Sequence, residues 1–435
     1  MLLELGSLLV GALSPSCPPT CQCYDTSKVF CSNERMREIP EGLPGSATHL
    51  FFVETELEAG AFQGLPSLTE LEVSGSPLPA VSPGVLAGLT SLRKLSLNAN
   101  AIRTLQPGLF TASCRLQDLS LSGNRIEALP PGIFRPLRRL QTLDLSQNFL
   151  AELPDGLLAP LTALRVLKLS DNLLAQVPPG AFRALGQLTE LHLDGNHLEE
   201  LPSGIFSGLG ELRRLQLQHN TLGSLAPDIF TGLLNLTLQL SHNNLSSLPA
   251  RLLAGLPLLT ALVLDHNRLA RLPPGFFHAN DELVRVGLSD NPWVCDCHLS
   301  YLLHWLQSFA EPLIHGQAFC SNPSALRGQA LLEVSRGQLE CPGAHGVPPE
   351  EGWDTDAAGQ CTYTNPEGTV SVACNATACH RLSLRLPPPG QEQGLGPGYR
   401  GAWVLRSRCG TLQVSVLVTA QSRNEPTSPA LSSAP

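Results

Sequence analysis

The stretch that decides the fold is LRKLSLNANAI at 92–102, because the chain repeats its pattern. Each copy carries leucines at alternating positions and then an asparagine, and the copies start about two dozen residues apart. Alternating leucines lie on one side of a short strand. The pattern therefore predicts one strand per period with one buried face. Further copies begin at Leu116, Leu140, Leu164, Leu188 and Leu212.

The asparagine near the end of each copy forms a column along the chain. An amide offers both a donor and an acceptor, so it can satisfy backbone groups where the chain turns away from a strand. Ser76 takes this slot in the first full period. One period is a residue short, and we place the missing position between Thr237 and Leu238. The column consists of Asn100, Asn124, Asn148, Asn172, Asn196, Asn220, Asn243, Asn267 and Asn291.

The repeated pattern, LxxLxLxxNxL, is that of the leucine-rich repeat. No single repeat can bury its leucines, so successive repeats stack. We therefore predict an α/β solenoid, a leucine-rich repeat horseshoe over residues 50–291, with a parallel sheet along its concave face. A column of phenylalanines is expected to fill the opposite wall of the core, with Leu86, Leu158 and Leu253 as substitutes. Its members are Phe62, Phe110, Phe134, Phe182, Phe206, Phe230 and Phe277.

Charge and cysteine content restrict the class of protein. A net charge of -9 with scattered Lys and Arg gives no basic footprint for nucleic acid. The 13 cysteines fall mostly into tight groups, which favours disulfide-stapled modules in an oxidising compartment over zinc knuckles. The unpaired Cys114 is either a free thiol or the site of an intermolecular disulfide. The groups are Cys17, Cys21, Cys23 and Cys31; Cys295, Cys297, Cys320 and Cys341; and Cys361, Cys374, Cys379 and Cys409.

Both ends of the repeat array carry sequences that resemble the cysteine-rich caps of extracellular leucine-rich repeat proteins. CPPTCQCYDTSKVFC lies in an N-terminal cap at 17–49, and NPWVCDCHLSYLLHWLQSF lies in a C-terminal cap at 292–342. In the second cap, an apolar helical spacing predicts a helix across the last repeat, with Trp293 beneath it and His298 and His304 on its surface. The resemblance implies the disulfides Cys17–Cys23, Cys21–Cys31, Cys295–Cys320 and Cys297–Cys341.

The remaining segments are assigned from composition. Residues 1–16 are interpreted as a candidate signal peptide, 343–360 as a Pro/Gly/acidic linker, and 423–435 as a disordered tail. Short segments of alternating apolar and polar residues within 361–422 predict a small disulfide-rich β module, and the pairing of its four cysteines stays open. No apolar run is long enough to span a bilayer. In a secreted chain, sequons at Asn235, Asn244 and Asn375 would be glycosylation sites.

We expect no catalytic residues, no metal and no cofactor. The pair His197 and Glu200 has the spacing of a zinc-binding HxxE, but it falls on a variable turn beside core Leu198. The outward residues of the strands offer a mixed-charge surface for a partner, and a simply solvated face is the alternative. This concave strip comprises Glu70, Glu72, Arg93, Lys94, Asp118, Asp144, Arg165, Lys168, Glu190, His192, Arg213 and Arg214.

Three stretches together carry a more specific resemblance: HLFFVETELEAGAFQG at 49–64, LSDNPWVCDCHLSYLLHWLQSF at 288–309 and CTYTNPEGTVSVAC at 361–374. They are similar to the non-catalytic regulatory subunits of carboxypeptidase N. The resemblance implies a secreted plasma glycoprotein that binds a zinc carboxypeptidase catalytic subunit, stabilises it and retains it in circulation. That enzyme removes C-terminal Lys or Arg from plasma peptides. The alternative is a free-standing secreted ligand-binding protein, similar to the acid-labile subunit, or a shed receptor ectodomain.

Overall fold

The structure is a computed structural model that describes residues 17–341 apart from 26, 33–38, 55–56, 58–59, 308–313 and 316. It also describes the backbone of six strands between 361 and 434. The chain divides into two compact units, Met1–Ala344 and His345–Pro435, which are treated separately below. The candidate signal peptide and the linker lie outside the described residues.

The first unit is a solenoid in which each repeat contributes one short strand. Its elements are β1 (Cys21–Cys23), β2 (Lys28–Ser32), β3 (His49–Val53), β4 (Glu70–Ser74), β5 (Ala80–Val81), α1 (Pro83–Leu86), β6 (Lys94–Ser96), β7 (Thr104–Leu105), β8 (Asp118–Ser120), β9 (Thr142–Asp144), β10 (Val166–Lys168), β11 (Glu190–His192), β12 (Arg214–Gln216), β13 (Thr237–Gln239), β14 (Ala261–Val263), β15 (Arg285–Gly287), β16 (Trp293–Val294), α2 (Ser300–Trp305), β17 (Ile314–His315) and β18 (Cys320–Asn322).

A single 14-stranded sheet forms one face of the solenoid, in the order β1-β2-β3-β4-β6-β8-β9-β10-β11-β12-β13-β14-β15-β17. Only the β1–β2 pair is antiparallel, and every later pair in this sheet is parallel. The central leucines of neighbouring strands lie opposite each other, as Leu143 and Leu167 do. The predicted leucine-rich repeat solenoid is therefore confirmed. In the described repeats, turns rather than helices form the side opposite the sheet, with α1 as a short exception.

The short repeat loses its residue at a different place from the one predicted. Thr237 lies opposite Arg214, and Leu238 lies opposite Leu215. The missing position therefore precedes Thr237, so its prediction between Thr237 and Leu238 is wrong. Pairing from Thr237 onward keeps Leu238 in the core, and the deletion removes only a counterpart of the exposed Arg213.

The asparagine column lies along the turns that follow the strands and is buried except for the half-buried Asn243. Asn172 shows its role. Its Oδ1 accepts a hydrogen bond from the Leu150 amide at 3.1 Å. Its Nδ2 donates to the carbonyl oxygens of Leu145 at 3.0 Å and Leu169 at 3.2 Å. The same contacts recur from Asn148 to Asn291 along the column. Each amide thus satisfies backbone groups in its own repeat and the preceding one.

The phenylalanine column is confirmed as core, since all seven members are at most 3% exposed. Phe182, Phe206 and Phe230 stack on one another, with ring centroids 6.4 and 6.0 Å apart. The leucine core runs through the same stack of repeats without interruption. Each repeat therefore gains its buried surface from its neighbours.

Disulfide-bonded caps close both ends of this core. The structure joins Cys17–Cys23, Cys21–Cys31, Cys295–Cys320 and Cys297–Cys341, the pairs that the family resemblance implies. In the C-terminal cap, α2 buries Leu302 and Leu303, and Trp293 is fully buried with its Nε1 donating to the Leu288 carbonyl at 2.9 Å. The Trp305 ring stacks on Phe277 of the last repeat at 4.0 Å. The cap therefore continues the core and shields it.

The second unit consists of two three-stranded antiparallel sheets among its described residues. In one of them, Cys361 lies opposite Cys374 in the backbone register. The last strand lies at Ala430–Ala434, inside the tail that the sequence predicts to be disordered. Its backbone pairs with the preceding strand, which supplies hydrogen-bond partners that the composition could not reveal. The strands are β19 (Cys361–Thr364), β20 (Val370–Ala376), β21 (Cys379–Leu386), β22 (Arg400–Ser407), β23 (Gly410–Leu417) and β24 (Ala430–Ala434).

Candidate binding face

The outward side chains of the large sheet bring the concave strip together on one surface. Parallel pairing in register places residues of equivalent position in neighbouring strands side by side, as with Glu190 and Arg214. Glu70, Glu72, Lys94, Asp118, Asp144, Lys168, Glu190, His192 and Arg214 lie within strands, whereas Arg93, Arg165 and Arg213 lie one position before a strand. The three arginines are exposed, and most of the strand residues are half-buried.

Many charges of the concave strip pair with each other across neighbouring strands. Lys94 Nζ lies 3.8 Å from Glu70 Oε2, and Lys168 Nζ lies 3.5 Å from Asp144 Oδ2. Arg214 Nη1 lies 3.9 Å from Glu190 Oε2. Exposed ion pairs of this kind contribute at most about 1 kcal/mol each, so they add little to the stability of the fold. Arg93, Arg165 and Arg213 have no ion-pair partner within 4.0 Å among the described residues, so the pairing compensates only part of the charge.

One part of the strip keeps uncompensated carboxylates. A depression of about 460 Å³ lies over β4, β6, β8 and β9. Glu72, Asp118 and Asp144 line it together with Lys94 and Asn98. In the part of the chain that the structure describes, neither Glu72 nor Asp118 has an ion-pair partner within 4.0 Å. This depression, called the acidic depression below, therefore presents two unpaired carboxylates, those of Glu72 and Asp118, beside the paired Asp144.

Two features of this surface escaped prediction. His49, on β3, lies 3.4 Å from Glu70 and extends the charge pairing toward the N-terminal cap. At the other end, His219, His242 and His266 follow their strands in left-handed conformation, with φ between 52° and 55°. Their rings stack at 4.2 and 4.1 Å between centroids. A search for histidine at the repeat spacing would have found this stack, which we call the histidine stack.

The central member of the histidine stack, His242, has a perturbed pKa. His242 is exposed overall, but partial desolvation lowers its pKa from the ordinary value of 6.5, and the neighbouring His266 and His219 lower it further. Asp265 and Asp290 act in the opposite direction. The pKa of His242 is lower in the folded state than in the unfolded state. The contribution of His242 to stability is therefore present above pH 6.5 and is lost as pH falls below that value.

We therefore expect His242 to titrate below pH 6.5 in an NMR titration of the folded protein. The variant His242→Gln places a glutamine where another repeat has Gln147 in the same left-handed conformation. Between pH 8 and 5 the variant should lose less stability than the wild type, by a difference of less than about 1 kcal/mol. His197→Gln, at an exposed turn, serves as the control. A midpoint at or above 6.5 for His242 would contradict the account.

The other residues singled out in the sequence do not form a site. His197 is exposed on its turn, where its amide donates to the Leu174 carbonyl at 2.9 Å. Cys114 is an exposed free thiol. Asn235 is exposed and Asn244 is half-buried, while the side chain of Asn375 lies outside the described residues. Glycosylation of these asparagines stays a prediction.

The described residues contain no group of three His, Cys, Asp or Glu side chains arranged to hold a metal ion. They also contain no helix with the length and apolar character needed to cross a bilayer.

The geometry defines a class, that of capped β-solenoid scaffolds with a long parallel sheet as their exposed face. A sequence profile described as leucine rich repeat matches residues 55–102, 90–150, 138–198, 186–238, 210–269 and 236–292, which together exceed half of the chain. The chain belongs to the leucine-rich repeat family.

Within this family, the chain is similar in sequence to particular proteins. The chain is 38% identical over 161 residues to carboxypeptidase N subunit 2 of Homo sapiens, covering 33% of this chain and 29% of the relative. It is 35% identical over 164 residues to carboxypeptidase N subunit 2 of Mus musculus, covering 34% and 30%. The match therefore spans less than a third of the length of either relative.

A solved structure shows the same architecture. It is an octameric complex of Latrophilin 3, Unc5D and the leucine-rich repeat part of FLRT2. The superposition has a TM-score of 0.67 at 28% identity and covers 75% of this chain and all of the matched chain.

Proposed function

We propose that this chain is a non-catalytic, secreted subunit that binds a zinc carboxypeptidase on its concave strip, stabilises it and retains it in blood plasma. The enzyme is the catalytic subunit of carboxypeptidase N, which removes C-terminal Lys or Arg from plasma peptides. The observation that carries this proposal is the likeness to carboxypeptidase N subunit 2 in two species. The disulfide-bonded caps fit an extracellular location, because such bonds persist in oxidising compartments.

The structure supports a docking role in physical terms. A parallel sheet whose strands are locked by the asparagine column changes little in shape when a partner binds, so little conformational entropy is lost there. The acidic depression offers the unpaired carboxylates of Glu72 and Asp118 to basic groups of the enzyme. Glycans at Asn235 and Asn244 would add bulk to the retained complex.

The direct test mixes the purified chain with the purified catalytic subunit of carboxypeptidase N. We expect the two to elute together in size-exclusion chromatography, and the chain alone to release no lysine from a peptide that ends in lysine. Separate elution at micromolar concentration would refute the proposed partner. Turnover by the chain after removal of every trace of catalytic subunit would refute the non-catalytic role.

A charge reversal tests whether the acidic depression takes part. Glu72→Lys combined with Asp118→Lys should weaken binding of the catalytic subunit about tenfold, because like charges meet across the interface. The matched control is Asp155→Lys with Asp228→Lys, two exposed carboxylates on the turns opposite the sheet. Isothermal titration calorimetry measures both. Equal weakening by the two pairs would assign the effect to net charge and not to the depression.

A free-standing ligand-binding protein is the second candidate. The observation in its favour is the likeness to a chain of the complex that contains Latrophilin 3, Unc5D and the leucine-rich repeat part of FLRT2. Affinity capture from plasma separates the two candidates. A co-eluting metallocarboxypeptidase supports the regulatory subunit, and a different extracellular protein in its absence supports the second candidate.

A further inference from the structure

A second concave surface lies away from the large sheet, where the C-terminal cap meets the last repeats. It encloses about 760 Å³, a volume within the usual range of ligand clefts. We call it the cap groove, and its lining includes Leu248, Arg271, Leu272, Tyr301, His304 and Arg336. None of its lining residues belongs to a strand of the large sheet. The cap groove is therefore separate from the concave strip.

The floor of the cap groove is apolar and fixed by the fold. Leu248 and Leu272 occupy equivalent positions in successive repeats, and each is 4% exposed. Pro273 and Pro274 continue the floor. On the cap side, the Tyr301 hydroxyl accepts a hydrogen bond from the Phe277 amide at 2.9 Å, which ties α2 to the last repeat. An apolar side chain of a ligand would meet a preformed surface here.

One of the two arginines in the cap groove is already balanced. Arg271 forms an ion pair with Asp296, whose side chain is 5% exposed. Burial raises the pKa of the Asp296 carboxyl, but hydrogen bonds from Arg271 and from the His298 amide outweigh it and leave the pKa below its ordinary value. Asp296 is therefore ionised at neutral pH and fully engaged by its neighbours.

The other arginine has no such balance. Arg336 Nη2 donates a hydrogen bond to His304 Nδ1 at 2.7 Å. Within the described part of the chain, no carboxylate lies within ion-pair distance of Arg336. A guanidinium group carries five N–H donors in a planar fork that matches a carboxylate, so most of its hydrogen-bonding capacity remains available. The mouth of the groove thus carries net positive charge above an apolar floor.

We propose that the cap groove binds an acidic segment of a partner protein, with a carboxylate on Arg336 and an adjacent apolar side chain on the floor formed by Leu248 and Leu272. Charge complementarity selects this occupant. A basic segment would be repelled by Arg336, and an uncharged one would forgo the charge-assisted hydrogen bonds. The site does not depend on the docking of an enzyme at the concave strip.

The test uses the full chain and a short fluorescein-labelled peptide of alternating leucine and glutamate. Fluorescence anisotropy should show binding that weakens with added salt, since screening shortens the range of the charge interaction. The peptide with glutamine in place of glutamate should bind about tenfold more weakly. Arg336→Gln should weaken binding of the glutamate peptide by a similar factor.

Two further variants make the result specific to the groove. Arg327→Gln removes another exposed arginine of the same cap, whose Nε donates to the Ser321 carbonyl, and should leave binding unchanged. Ser247→Trp fills the groove without altering its charges and should abolish binding. Equal binding of the glutamate and glutamine peptides, or equal effects of Arg336→Gln and Arg327→Gln, would overturn the proposal. Self-association of the wild-type chain in ultracentrifugation that Arg336→Gln abolishes would assign the groove to a second copy and also overturn it.

Discussion

Replacing Phe206 with alanine is expected to lower the free energy of unfolding by about 3 to 5 kcal/mol. The Phe206 ring is 1% exposed and stacks between Phe182 and Phe230 in the neighbouring repeats. Removal of the Phe206 ring leaves a cavity that neither Phe182 nor Phe230 can fill, because each of these rings is held in place by the repeat on its other side. Two interfaces between repeats are therefore weakened by a single substitution. Denaturant unfolding monitored by circular dichroism measures the loss.

The chain provides a matched control for this substitution. Phe149→Ala removes the same atoms from a ring that is 48% exposed on the turn after Asn148. We expect its effect on stability to stay within about 0.5 kcal/mol. Similar losses from the two substitutions would show that the phenylalanine column does not hold the repeats together.

Replacing Asn172 with alanine is expected to cost about 2 to 5 kcal/mol, the second large effect. The substitution leaves the Leu150 amide and the carbonyl oxygen of Leu145 without their partner in a region closed to water. Each unsatisfied buried group costs about 1 to 3 kcal/mol. Hydrogen exchange should also show faster exchange of the Leu150 amide than in the wild type.

The control for the asparagine column is Asn235→Ala, compared with the wild-type protein when both are produced without N-linked glycans. Asn235 is exposed and lies outside the column, so its replacement should change stability by less than about 0.5 kcal/mol. If Asn172→Ala proved equally mild, the column would have no structural role.

The sequence predicts those features that repeat at a constant spacing. The buried leucines, the asparagine column and the phenylalanine column each recur about every two dozen residues, so a local pattern is enough to place them. The predicted position of the deletion near Thr237 is wrong because the sequence alone does not reveal which residues pair between neighbouring strands. Strand register decides such positions, and it depends on the preceding repeat.

The chemistry of the surfaces depends on contacts between distant residues. The sequence indicates the charges of the concave strip, but not that Asp144 and Lys168 neutralise each other while Asp118 stays unpaired. Arg271 and Arg336 line the same groove only because the C-terminal cap folds back over the last repeats. Neither arrangement follows from a periodic pattern.

The central claim is that the sheet side of this solenoid is the docking surface for a carboxypeptidase. Labelling of carboxylates with a carbodiimide, read by mass spectrometry with and without the purified catalytic subunit, tests it most directly. The account predicts that Glu72 and Asp118 become protected in the complex, while Asp155 and Asp228 react as before. Protection of Asp155 and Asp228 with unchanged labelling of Glu72 and Asp118 would contradict it.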